Sequence, residues 1–301
     1  MDIHIRGPVE FEKCLDHSFV SAITMTRQRM AIQQLMDQQE DQPLLIQQLT
    51  NYCTVIQEVV QRISAKTILQ QQPCFTWVID HEKIVSPCWI FEAIVPCCVL
   101  GQLHIQSGHS FLADNNFKDA NKAFKKAETV FMQSFLLAQR WKWKLPQMNH
   151  KIVRPAWHLS QKHTAESLQH LCCLCVGIDK ASSDKTMFTV ATRALTSATL
   201  SSLHWKTPEA INLLQIADSL RYLYSSNTLW SSGAYGAAIY RLQNRVPFIE
   251  TGSFELLKKE FEKVPLLLQE RIYTNNGAYF EAIEPPDELP TLEMIIHRSL
   301  E

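Results

Sequence analysis

Apolar residues return every three or four positions over most of this chain, the period of helices with one buried face. The runs predict helices at about 10–39, 44–68, 89–110, 116–141, 156–178, 186–203, 208–229, 233–242 and 254–268. Polar or Gly/Pro breaks separate them, among them Asp37–Pro43, the Ala113-Asp114-Asn115-Asn116 cluster and Asp179–Asp184. Two stretches follow a different rule. Residues 2–6 alternate with period two, and 74–80 form a short aromatic, β-branched run opened by Pro73. These predict two short strands that pair as a small flap.

The pair 89–110 and 116–141 is the most organised part of the pattern. Gly108, Phe111, Phe117, Ala120, Phe124 and Ala127 stand at the tetratricopeptide spacing. There Gly108 lets two antiparallel backbones approach, and Phe117 and Phe124 fill the space between them as core residues. The motif's usual closing Pro is replaced by Met132. The second half of the pattern repeats at 233–242, with Tyr235, Ala238 and Leu242 in place. The expected fold class is all-α: an elongated α-solenoid of tetratricopeptide-like helix hairpins with a small β-flap in the N-terminal third. A single domain over 1–301 is expected. It comprises strands 2–6 and 74–80, a helical stack over 10–270 and an extended segment over 275–301. In that last segment Gly277, Pro285, Pro286 and Pro290 cannot continue a helix.

Composition agrees with helices. Only 8 of 301 residues are Gly, too few for many tight β-turns, and 46% are hydrophobic, enough for a core. The net charge of −1 excludes a strongly polycationic or polyanionic protein, yet it hides an asymmetry. Residues 118–163 carry ten Lys or Arg against two acids, whereas 249–301 carry eleven acids against five Lys or Arg. The nine Cys are odd in number and sit in apolar helical runs, and no signal peptide precedes them. Reduced thiols in the cytosol are expected. The most apolar stretch, Ile90–Leu103, is broken by Glu92, Pro96 and Gln102 and reads as too short and too polar to span a bilayer.

Candidate chemistry is sparse. Cys172, Cys173 and Cys175 near His170 invite a metal, but on a helix 172 and 175 share a face while 173 points away. No nucleophile signature surrounds any Cys, and Gly233-Ala-Tyr-Gly236 is a packing pattern, not a phosphate cradle. No enzyme, cofactor or metal is expected. Trp141, Trp143 and Trp157 interleave with Lys142, Lys144, Lys151 and Arg154, a combination that suits an anionic membrane surface. The plainer alternative is that the Trp residues pack and the Lys residues are solvated. Nucleic acid is not an expected partner.

The tail Arg271-Ile-Tyr-Thr-Asn-Asn-Gly-Ala-Tyr279-Phe280, continuing through Pro285-Pro286 to Leu289-Pro290, resembles the end of Bro-one domains. Phe75-Thr76-Trp77 is similar to the strand those domains carry in their first third, and the hairpins come in the same order. The chain is shorter than the usual domain, which implies a divergent or free-standing member. The resemblance implies a non-enzymatic ESCRT-pathway adaptor. It would bind the amphipathic C-terminal helix of an ESCRT-III subunit in an apolar, basic-rimmed groove. It would be cytoplasmic and peripheral on endosomal membrane. The family's Ala-Gln-Ala-Gln-Glu helix start corresponds to Ala165-Glu166-Ser167-Leu168-Gln169. Carried over from there, Leu171, Val190 and Ala194 are the apolar groove contacts and Arg193 a basic rim residue. Ala in place of the family's Leu trims the contact. The alternative is a tetratricopeptide-like scaffold for a different protein partner, with membrane contact through 118–163.

Overall fold

The computed structural model describes residues 3–7, 9–15, 22–38, 41–64, 73–140, 150–245 and 252–286. Among them, the chain runs β1 (Ile3–Arg6), α1 (Phe11–Cys14), α2 (Ala22–Gln38), α3 (Gln42–Ser64), β2 (Phe75–Ile79), β3 (Glu82–Ser86), α4 (Trp89–Ala113) and α5 (Phe117–Arg140). It continues with a 3-10 turn (Lys151–Val153), α6 (Pro155–Asp179), α7 (Asp184–His204), α8 (Pro208–Ser231), α9 (Tyr235–Arg245) and α10 (Glu255–Thr274). The protein is helical with a small sheet near its N-terminal third. Two compact units gather these residues: 1–104 with 129–159, and 105–128 with 160–301.

In the first unit the flap has three antiparallel strands, not two, in the order β1-β2-β3. The extra strand follows from Asp80 and His81, whose φ angles of 49° and 70° make a two-residue hairpin turn. Asp80, the last residue of the strand expected over 74–80, instead opens the turn with His81. The inward side chains Phe75, Trp77 and Ile79 are fully buried, and Phe75 packs edge-on against Trp89 with centroids 5.3 Å apart.

The helix expected over 10–39 is split into α1 and α2. Its Arg29 is buried and lies beside Glu92 of α4 (Nε to Oε1 2.9 Å). Glu92 also accepts from the Tyr52 hydroxyl and from Trp77 Nε1, each at 2.6 Å. Arg29 further donates to the Gly7 carbonyl at 2.7 Å. One carboxylate thus ties α2, α3, β2 and α4 together, and every donor aimed at it is satisfied. This corrects the view of α4 as too short and polar for a membrane. By length and composition it would qualify, but 78% of its apolar window is buried inside the protein. It is a core helix.

In the second unit the tetratricopeptide-like packing is visible at Gly108. The Phe124 ring occupies the space a Cβ there would need, and Ala120, Phe124 and Ala127 are fully buried. Between α6 and α7, small hydroxyl residues let backbones close up. Ser160 and Thr164 meet the Ser201 hydroxyl at 3.0 and 2.8 Å, and Ser167 donates to the Ala194 carbonyl at 3.1 Å. On α10, Arg271 donates to Ser226 Oγ at 2.7 Å and to Asn227 Oδ1 at 2.8 Å, and Asn227 donates on to Asp184 at 2.9 Å. Burial lowers the Arg271 pKa to about 10, with Asp184 opposing.

Residues 275–286 are not extended throughout. Asn275–Tyr279 prolong α10 as one π-helical turn, closed by Phe280 N–H donating to the Asn275 carbonyl at 2.7 Å. Phe280 then takes φ 57° and ends it. Tyr279 stacks on Tyr235 of α9, 3.6 Å between centroids. The Gly236 N–H donates to Glu281 Oε2 at 2.9 Å, where a side chain on residue 236 would run into the Ala282 carbonyl. The expected extension beyond 286 lies outside the described residues.

Candidate functional site

Residues 117, 118, 121, 122 and 125 recur at the spacing that sets them along one face of α5, and 173, 176 and 180 do the same on α6. In the second unit these two faces border an open cleft of about 570 Å³, lined by Phe117, Lys118, Asn121, Lys122, Lys125, Cys173, Val176 and Lys180. Phe117, Val176 and Cys173 supply apolar surface, and four ammonium groups supply the rim. No acid is among the lining residues. At one end Gln169 Nε2 donates to Glu128 at 2.8 Å, and Lys125 pairs with the same carboxylate at 2.8 Å. Lys122 is held by Asp119 at 2.8 Å.

Phe117 corrects one expectation. As the first residue of α5 it is half-buried and faces the cleft, whereas Phe124 is core.

The positions carried over from the family divide by burial. Leu171 and Ala194 are fully buried and offer no surface to a partner. Ala165, the corresponding helix start, lies in the middle of α6, and Ala194 is small because α6 and α7 approach there. Val190 is half-buried and Arg193 exposed. His170, on α6, senses both α5 and α7. Burial lowers its pKa first; Arg193 and Lys125 lower it further, while Glu166 and Glu128 oppose. Arg193 therefore stands within electrostatic range of the helix that forms the cleft.

Of the residues expected at an anionic surface, Lys142 and Lys144 lie outside the described residues, as do Trp141 and Trp143. Lys151 pairs with Asp80 at 2.9 Å, and Arg154 is exposed. Trp157 is buried, edge-on to Phe131 at 6.0 Å.

The cysteines are thiols, not disulfides. Cys172 and Cys175 are buried and Cys173 exposed, as helical phase requires. Among the described residues no cluster of three or more His, Cys, Asp or Glu could hold a metal. Cys98 lies 3.7 Å from His158 Nδ1, and both are fully buried.

No protein-family model and no curated protein matches the sequence. Solved structures match the fold. ALIX in complex with the SIVmac239 PYKEVTEDL late domain has a TM-score of 0.72 at 14% identity, over 96% of this chain and 46% of that one. This chain thus spans about half of that ALIX chain. The ALIX BRO1–CHMP4C complex has a TM-score of 0.72 at 13% identity, covering 97% of this chain and 91% of that one. A Bro1 domain whose structure addresses endosomal targeting has a TM-score of 0.64 at 13% identity, over 98% and 89%. The chain has a divergent Bro1-like fold.

Proposed function

We propose that this protein is an ESCRT-pathway adaptor that acts by binding, and that its α5–α6 cleft takes the amphipathic C-terminal helix of an ESCRT-III subunit. The observation that carries the reading is the cleft itself: apolar surface between two helices, four lysines at its rim and no lining acid. The ALIX BRO1 domain, of the same fold, forms a complex with CHMP4C. From Phe117 to Lys125 the cleft follows α5 for about 12 Å, roughly two turns of a bound helix. Each large apolar anchor buried there contributes about 1.5–3 kcal/mol. Each exposed lysine–carboxylate pair adds about 0.2–1 kcal/mol. Apolar burial therefore sets affinity, and the lysines set which helix is accepted and how fast it arrives. We take Val190 and Arg193 on α7 as further contacts for that helix, and the protein works at the cytoplasmic face of endosomal membranes.

Fluorescence anisotropy with a labelled ESCRT-III C-terminal helix tests this. A Lys118→Glu/Lys122→Glu protein should bind about tenfold more weakly, a loss of ~1.4 kcal/mol. Wild-type binding should also fall with salt. Affinity unchanged by the charge reversal would remove the cleft from the account. Leu171→Asp is not a useful probe, because the side chain is buried and the change acts on folding.

A further inference from the structure

Tyr273 and Leu266 on α10 are 82% and 71% exposed, the most exposed large apolar side chains on the described helices. They belong to one stripe: Glu262, Leu266, Glu270 and Tyr273, at steps of four, four and three, which lie along a single helix face. Both acids are exposed as well. Phe261, Val264 and Arg271 face the opposite way and are buried in the second unit, so α10 is anchored while this stripe is presented to solvent. The stripe alternates carboxylate and apolar anchor over about 17 Å of helix. The α5–α6 cleft offers the complement: apolar surface bordered by Lys118, Lys122, Lys125 and Lys180.

We infer that a second copy of this chain is an occupant of the cleft, docking its Glu262–Leu266–Glu270–Tyr273 face between α5 and α6 of its neighbour. The inference rests on the reading of the cleft as a helix-binding site. The two surfaces differ, so the contact is heterologous, and each molecule keeps one cleft and one stripe to offer. An ESCRT-III helix and a second copy then compete for one site. The chain is held in self-association until a better helix displaces its neighbour.

Sedimentation equilibrium of the full chain tests this. Wild-type weight-average mass should rise with concentration, fall as salt is raised, and fall on adding a saturating ESCRT-III helix peptide. A Leu266→Ser/Tyr273→Ser protein keeps its cleft, and a Lys118→Glu/Lys122→Glu protein keeps its stripe. Each alone should remain monomeric, and an equimolar mixture should form dimers that grow no further. Wild-type mass independent of concentration would overturn the inference, as would stripe variants that associate like wild type. Peptide binding separates the two claims. A monomeric wild-type protein that still binds the helix sinks self-docking alone. Association that persists without any helix binding sinks the adaptor reading.

Discussion

Asn121 on α5 donates its side-chain amide to the Cys173 sulfur on α6, 3.5 Å away, inside the cleft. The contact joins the two helices where a ligand would lie. A bulky side chain at 173 should fill the site from within. Cys173→Trp is expected to weaken ESCRT-III helix binding about tenfold or more. Folding stability should move by about 0.5 kcal/mol or less, since the position is at the surface. Anisotropy and urea unfolding on the same protein check both halves.

The Arg29–Glu92 pair should matter for folding and not for binding. Both side chains are almost wholly buried. Glu92→Gln leaves the guanidinium without its counter-charge, and a loss of about 3–5 kcal/mol is expected in urea unfolding. Arg29→Met combined with Glu92→Gln should recover part of it, because the uncompensated charge is gone. A single Glu92→Gln change costing under ~1 kcal/mol would mean the site is hydrated.

Gly108 and Phe124 should couple. A methyl at 108 collides with the ring, so Gly108→Ala should destabilise by about 1–3 kcal/mol through overpacking. With Phe124→Leu in place, the same change should cost less. A double-mutant cycle gives the interaction, expected at about 0.5–3 kcal/mol. Additive costs would show that the hairpin does not close there.

Stability should fall in mild acid through His158. Burial lowers its pKa from 6.5 to about 4, although its bond to the Ile152 carbonyl, 2.7 Å, opposes the shift. The unfolded chain binds the proton first as pH falls. The stability contributed by neutral His158 is therefore complete above about pH 6.5 and is lost as pH drops toward 4. The shift corresponds to about 3 kcal/mol. Urea midpoints at pH 7 and pH 4.5 measure it, and His158→Gln should flatten that part of the profile.

Much of the fold was legible because helical period and turn chemistry are local. The breaks at Ala113–Asn116 and Asp179–Asp184 fall where α4 meets α5 and α6 meets α7. The third strand was hidden because Glu82–Ser86 is mostly polar and exposed, and its formation depends on the left-handed pair Asp80-His81. Glu92 read as a flaw in an apolar run, since its partners Arg29, Tyr52 and Trp77 come from three other elements. The cleft was half visible. Lysines 118, 122 and 125 lay inside a stretch noted for charge, but a charge count ignores helical face. Their meeting with Val176 and Lys180 is a tertiary fact. Leu171 and Ala194 misled for the converse reason: an apolar residue on an amphipathic helix can line a groove or pack beneath it, and both are packed.

Thiol footprinting tests the central claim most directly. Cys173 lines the cleft, and Cys74, exposed just before β2, serves as an internal control. Surrounding protein raises the Cys173 pKa, with Asn121 opposing, so rates are compared at one fixed pH. Alkylation is followed residue by residue by mass spectrometry, with and without a saturating ESCRT-III C-terminal helix. The account predicts that the helix slows modification of Cys173 severalfold and leaves Cys74 unchanged. Equal rates at Cys173 in the free and helix-saturated protein would contradict it.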